Sequence, residues 1–133
     1  MKKILASTAL IAGLLGSGSA FAIATVICPA TAGSTAAAAG APIPNGTAGT
    51  HYMTRPIAAK CSANTNVAGE DGTSGAWYAV GANSVKGKTN FGGHTNGGAV
   101  AKTADCAIAG GCTAAEAVTA RGVANTAAAG SGT

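Results

Sequence analysis

After residue 15 the sequence contains no leucine; Leu5, Leu10, Leu14 and Leu15 are all there are. Aromatic residues make up only 4% of the chain and charged residues 9%, and each scarcity excludes something. The hydrophobic fraction is 47%, but alanine supplies most of it, and burying a methyl group contributes far less than burying Leu or Phe. The chain can therefore build one small core, not two. Charge is too sparse for a nucleic-acid footprint: beyond residue 22, six basic residues (Arg55, Lys60, Lys86, Lys88, Lys102, Arg121) are scattered among four acidic ones (Glu70, Asp71, Asp105, Glu116). No apolar run past residue 15 is long enough to cross a bilayer, which argues against stable membrane insertion.

What is present begins with an address. Lys2 and Lys3 precede an apolar run over residues 4–15, and Ala20-Phe21-Ala22 sets small residues at both recognition positions of a signal-peptidase site. Residues 1–22 are thus expected to be a removed secretion signal. The remaining chain is expected outside the cell or on its surface, with the periplasm as the other compartment open to it. Cys28 follows Thr25-Val26-Ile27 and lacks the small preceding residue that a lipid-modified cysteine requires.

Four cysteines, Cys28, Cys61, Cys106 and Cys112, are an even number in an exported chain and predict two disulfides. Of the three pairings, Cys28–Cys61 with Cys106–Cys112 is favoured, because the paired glycines Gly110-Gly111 let the intervening segment turn back. A four-thiolate metal site would need short Cys-x2-4-Cys knuckles, which the spacing does not provide.

Texture then divides the chain. Residues 23–27 (IATVI) are β-branched and stopped by Pro29, which predicts an initial strand. Residues 30–75 are small and polar, with Pro42, Pro44 and Pro56 and turn signals at Asn45-Gly46 and Glu70-Asp71-Gly72, so regular structure is expected to be sparse there. Short strands are expected over 76–80, 83–88, 89–91, 99–102 and 107–109, with Gly92-Gly93 and Asn96-Gly97-Gly98 at the bends. Thr113-Ala114-Ala115-Glu116 has the form of a capping box and predicts one short helix, with Arg121 at its end and Gly122 stopping it. Residues 124–133 are expected to be a flexible tail. The fold class is mainly β: a single domain over 23–123, a disulfide-stapled sandwich or rolled meander of short strands with one C-terminal helix.

Candidate chemistry is thin. Gly81 to Thr89 (GANSVKGKT) ends like a phosphate-binding loop, but five residues separate the first glycine from Gly-Lys-Thr where four are required, and Asn90-Phe91-Gly92-Gly93 cannot open the helix that should follow. The stretch is expected to be strand, turn and strand. His51 and His94 lie far apart in Gly/Thr-rich surroundings, and Glu70 and Asp71, as neighbours, point apart. No Gly-x-Ser-x-Gly elbow occurs. No catalytic residue, metal or cofactor is expected, and no small-molecule ligand is assigned.

Ala79 to Ser84 (AVGANS) resembles one unit of the head repeats of trimeric autotransporter adhesins; the likeness has no second copy, and no site is carried over from it. Secreted β-fold subunits of bacterial surface filaments are similar in composition, with an N-terminal β-branched segment, an early disulfide and a body rich in Gly, Thr and Ala. The expected function is structural: a non-enzymatic, secreted subunit of a surface or extracellular filament or matrix, self-associating by β-strand pairing. Ile23, Val26, Ile27, Trp77 and Tyr78 are the expected assembly or binding surface. The initial strand is expected either to add to a neighbouring copy or to fold back as an edge of its own domain. The alternatives are a monomeric module holding a sugar or peptide on Trp77 and Tyr78, and a secreted antagonistic peptide.

Overall fold

A computed structural model describes residues 24–29, 38–46 and 48–131. The expected signal at 1–22, Ile23 and residues 30–37 lie outside the described residues. In chain order the elements are β1 (Ala24–Cys28), β2 (Ala38–Ala39), β3 (Lys60–Cys61), β4 (Thr65–Asp71), β5 (Tyr78–Ser84), β6 (Thr89–His94), β7 (Ala101–Asp105) and the helix α1 (Ala114–Gly130), with a 3-10 turn at Thr73–Gly75. The fold is mainly β. Strands β4 to β7 form an antiparallel meander, and β1 folds back onto the outer side of β4 to complete a five-stranded sheet ordered β1-β4-β5-β6-β7. Both expected disulfides are present, Cys28–Cys61 and Cys106–Cys112.

The two faces of the sheet are covered differently. Helix α1 lies across β4, β5 and β6 on one face and buries Ala117, Ala120, Ala124 and Ala128. The sheet answers with equally small residues. A side chain at Gly81 would collide with the carbonyl of Ala117 and the amide of Arg121, and one at Gly92 would stand 2.9 Å from the Ala120 carbonyl oxygen. Helix and sheet thus approach backbone to backbone, which only glycine and alanine permit.

On the opposite face, residues 38–46 and 48–61 make a sparse hairpin. Ala38 pairs with Cys61 and Ala39 with Lys60, Ile43 bridges to Ile57, and the Gly46 amide donates to the Met53 carbonyl at 3.2 Å. This hairpin covers the β1 and β4 side and closes the larger core, where Ile27, Cys28, Cys61 and Tyr78 are buried together with Ile43, Ala59, Val67 and Val80 against them. Among the described residues, the β5 to β7 side of that face carries no such cover.

Helix α1 departs from expectation: it runs through Gly122 to Gly130 and takes up residues expected to form a flexible tail. Ala124 and Ala128 dock on the sheet while Gly122 faces open space, so packing outweighs the local glycine cost. Arg121 accordingly sits mid-helix rather than at its end. Residues 65–71, in the stretch expected to be sparse in regular structure, form the strand between β1 and β5, because alternate residues face the helix and the hairpin. Glu70 and Asp71 therefore lie in a strand, and the turn begins only at Gly72. Strand β5 starts after Trp77 and ends at Ser84, β7 begins at Ala101, and residues 107–109 belong to a disulfide loop rather than a strand. The Gly81 to Thr89 stretch is strand, turn and strand, as its register predicts.

Candidate functional site

The expected surface residues separate. Val26 remains on the sheet edge, 44% exposed, but Ile27 is buried, because an irregularity of register between Val26 and Cys28 turns it into the core beside the disulfide. Tyr78 is likewise interior rather than a platform: its ring lies over Gly69, where any side chain would collide with it. Trp77 is half-buried, packs over Gly72, and donates its indole N–H to Asn125 Oδ1 of the helix at 2.6 Å. The structure thus unites Ile27 and Tyr78 in one core, and engages Trp77 with α1 at the other face.

Burial shapes the chemistry of Tyr78. Its hydroxyl makes no hydrogen bond, and its pKa is pushed from 10.0 up to about 12, first by burial and then by the negative charge of its cross-strand neighbour Asp71, against an opposing pull from Arg121. Because the folded value lies above the unfolded one, the stability carried by the neutral phenol is fully present below about pH 10 and is lost as pH rises towards 12. Alkaline titration followed by phenolate absorbance should show a step near pH 12 coinciding with unfolding. A protein that ionises all its tyrosine near pH 10 and stays folded would contradict this placement.

Other polar groups are spent on architecture. Asn66 Nδ2 donates to Asn83 Oδ1 at 2.8 Å, and Asn83 Nδ2 donates to Asn90 Oδ1 at 2.7 Å and to the Thr113 carbonyl at 2.8 Å, a buried ladder across β4, β5 and β6 beneath the helix start. Glu116 completes the capping box and also accepts from the Ala107 amide at 2.6 Å, which joins the helix start to the disulfide loop. Backbone amides of Ala107 and Thr113 hold its carboxyl below the usual carboxylate range. Arg121 Nε lies 3.0 Å from Glu70 Oε2 in a largely buried ion pair. Asp71 Oδ1 accepts from the Tyr52 amide at 2.9 Å and pins the hairpin to the sheet. His51 packs on Gly46 and Gly75, and His94 on Gly98. Among the described residues, no three His, Cys, Asp or Glu side chains gather as metal ligands would.

What remains available is a surface of which only Tyr78 is among the expected residues. Tyr78, Val80, Ala82, Phe91, Gly93, His94 and Val100 line a shallow apolar cleft of about 280 Å³ on the uncovered half of the sheet. Phe91 is 45% exposed there and Val100 77%. Alternation along β5 carries the signal, since Tyr78, Val80 and Ala82 share a face, but the register that sets Phe91 of the partner strand beside them is not visible in sequence. Beside this strip, β7 is a sheet edge whose outer side has no strand partner among the described residues. The other edge, β1, is partly covered, because the Ala41 amide donates to the Ile27 carbonyl at 2.8 Å.

No protein-family model, curated protein or solved structure matches this chain significantly.

Proposed function

We propose that the chain is an exported structural subunit that self-associates by β-strand pairing into an extracellular or surface assembly. One observation carries this reading: the unpartnered β7 edge and the uncovered apolar strip with Phe91 and Val100 lie on the same side of the sheet. A free edge offers main-chain hydrogen bonds, and an adjacent bare face offers apolar area, so one occupant would satisfy both. The thinness of the packing supplies the motive, since small-residue contact on one face and one small core under a sparse hairpin on the other leave stability to be gained by burial between copies. Export is supported by the leader-like residues 1–22 and by two disulfides, which persist in oxidising compartments. Among the described residues no helix is long and apolar enough to cross a membrane.

Sedimentation and negative-stain microscopy of the purified, oxidised protein test the reading. Species larger than the monomer, growing with concentration, are the expected result. A protein that stays monomeric at every accessible concentration would overturn it.

A further inference from the structure

We propose that β7 pairs antiparallel with β7 of a second copy about a two-fold axis passing between Thr103 and Ala104, which sets Lys102 of each copy opposite Asp105 of the other. This contact rests on the assembly reading above and gives it a partner and a register.

Register on β7 places the charges. On β6, Thr89 and Phe91 are two residues apart and share a face; Thr89 pairs with Asp105 and Phe91 with Lys102. An irregularity at Asn90/Phe91 gives β7 one extra residue, so Lys102 and Asp105 project from the same face although three positions separate them. Their ion pair agrees with that placement, with Lys102 Nζ 2.8 Å from Asp105 Oδ1 and side chains that are 55% and 71% exposed. That face is the uncovered one, beside Phe91.

The edge therefore reads cation, two small residues, anion. Antiparallel pairing reverses this order and sets each cation opposite an anion of the other copy, so that the ion pair within each copy becomes part of a cluster of four alternating charges. Charged residues and a bulge ordinarily protect an edge from pairing. Here the same devices disfavour an edge that sets a cation opposite Lys102 or an anion opposite Asp105, and remain compatible with a second copy of this chain. A two-fold axis perpendicular to the sheet also keeps the helices of both copies on one side. The two apolar strips then lie on the other side, flanking the row of paired charges at the seam. Strand β1 of another copy is a poorer match, because its free portion, Ala24 to Val26, carries no charge to meet Lys102 or Asp105.

Trans-complementation tests this. Lys102→Glu and Asp105→Lys are made separately in the full, oxidised protein, with far-ultraviolet circular dichroism checking that each stays folded. Sedimentation equilibrium then measures self-association. Each single variant creates two like-charge contacts per pair and should weaken self-association tenfold or more. An equimolar mixture of the two should return to within about threefold of the wild type, since the introduced glutamate of one copy then faces the introduced lysine of the other. Such rescue cannot arise from repair within one chain. If the single variants associate as the wild type does, or both weaken and the mixture fails to recover, the β7 contact is wrong while assembly through another surface stands. If the wild type itself is monomeric throughout, both this contact and the assembly reading fall.

Discussion

Replacing Cys28 and Cys61 together by alanine is expected to lower the unfolding free energy by about 3.5 to 4 kcal/mol, the loop-entropy value for a bridge of this span. The pair closes a separation of 33 residues and is itself buried in the larger core, so the loss of constraint in the unfolded chain and the loss of packing act in the same direction. A small domain of this kind has a total stability of about 5 to 15 kcal/mol, a large part of which such a loss can remove. The Cys106–Cys112 bridge closes a separation of only 6 residues and should cost about 2 kcal/mol when removed. Its role is local: the Cys106 amide donates to the Lys88 carbonyl and the Cys112 amide to the Ser84 carbonyl, so the loop clasps the β5–β6 turn from both sides. Denaturant unfolding of the two double variants under oxidising conditions checks the order. Equal costs, or a larger cost for the shorter bridge, would mean that the hairpin over β1 and β4 contributes little. The longer bridge also bears on assembly, because β1 is anchored by Cys28 and its release would uncover the edge of β4.

Local covalent and capping signals are legible in the sequence, whereas signals that depend on what lies across a gap are not. Disulfide pairing follows from spacing and from Gly110-Gly111, and the start of α1 follows from Thr113 and Glu116, whose reciprocal hydrogen bonds form within one turn. The end of α1 is illegible because Gly122 is an ordinary stop signal unless Ala124 and Ala128 find a surface to dock on, and that surface is made by Gly81 and Gly92, distant in sequence. Strand β4 is hidden for a related reason. Thr65-Asn66-Val67-Ala68-Gly69-Glu70-Asp71 carries polar residues on both faces, and its buried asparagine meets Asn83 only once the strands are side by side. The candidate surface shows the same limit. Tyr78 and Ile27 carry the apolar character of a binding residue, yet the hairpin covers them, while Phe91 and Val100 are left bare by what the hairpin does not reach.

Two glycine-to-alanine substitutions of opposite sign test whether the helix–sheet contact holds the domain together. Gly81→Ala is expected to destabilise the protein by about 3 kcal/mol or more, at or beyond the upper end for overpacking a tight interior site. The reason is that the new methyl would meet main-chain atoms of Ala117 and Arg121, with the Ala120 carbonyl carbon 2.9 Å away, and none of these can rotate aside. Relief requires α1 to lift as a body. That movement would break the Arg121–Glu70 ion pair, the Trp77–Asn125 hydrogen bond and the Asn96–Ala128 hydrogen bond, which hold the helix along its length. Gly122→Ala lies one residue beyond Arg121 in the same helix but faces open space, so it should stabilise the protein by about 0.5 to 1 kcal/mol through helix propensity alone. Thermal or denaturant unfolding of both variants against the wild type reads the difference directly. Should Gly81→Ala be tolerated within about 0.5 kcal/mol, the helix would not be seated backbone to backbone on β5. Should Gly122→Ala fail to stabilise, residues 122–130 would not be helical in solution, and the C-terminal part of the chain would belong to a tail.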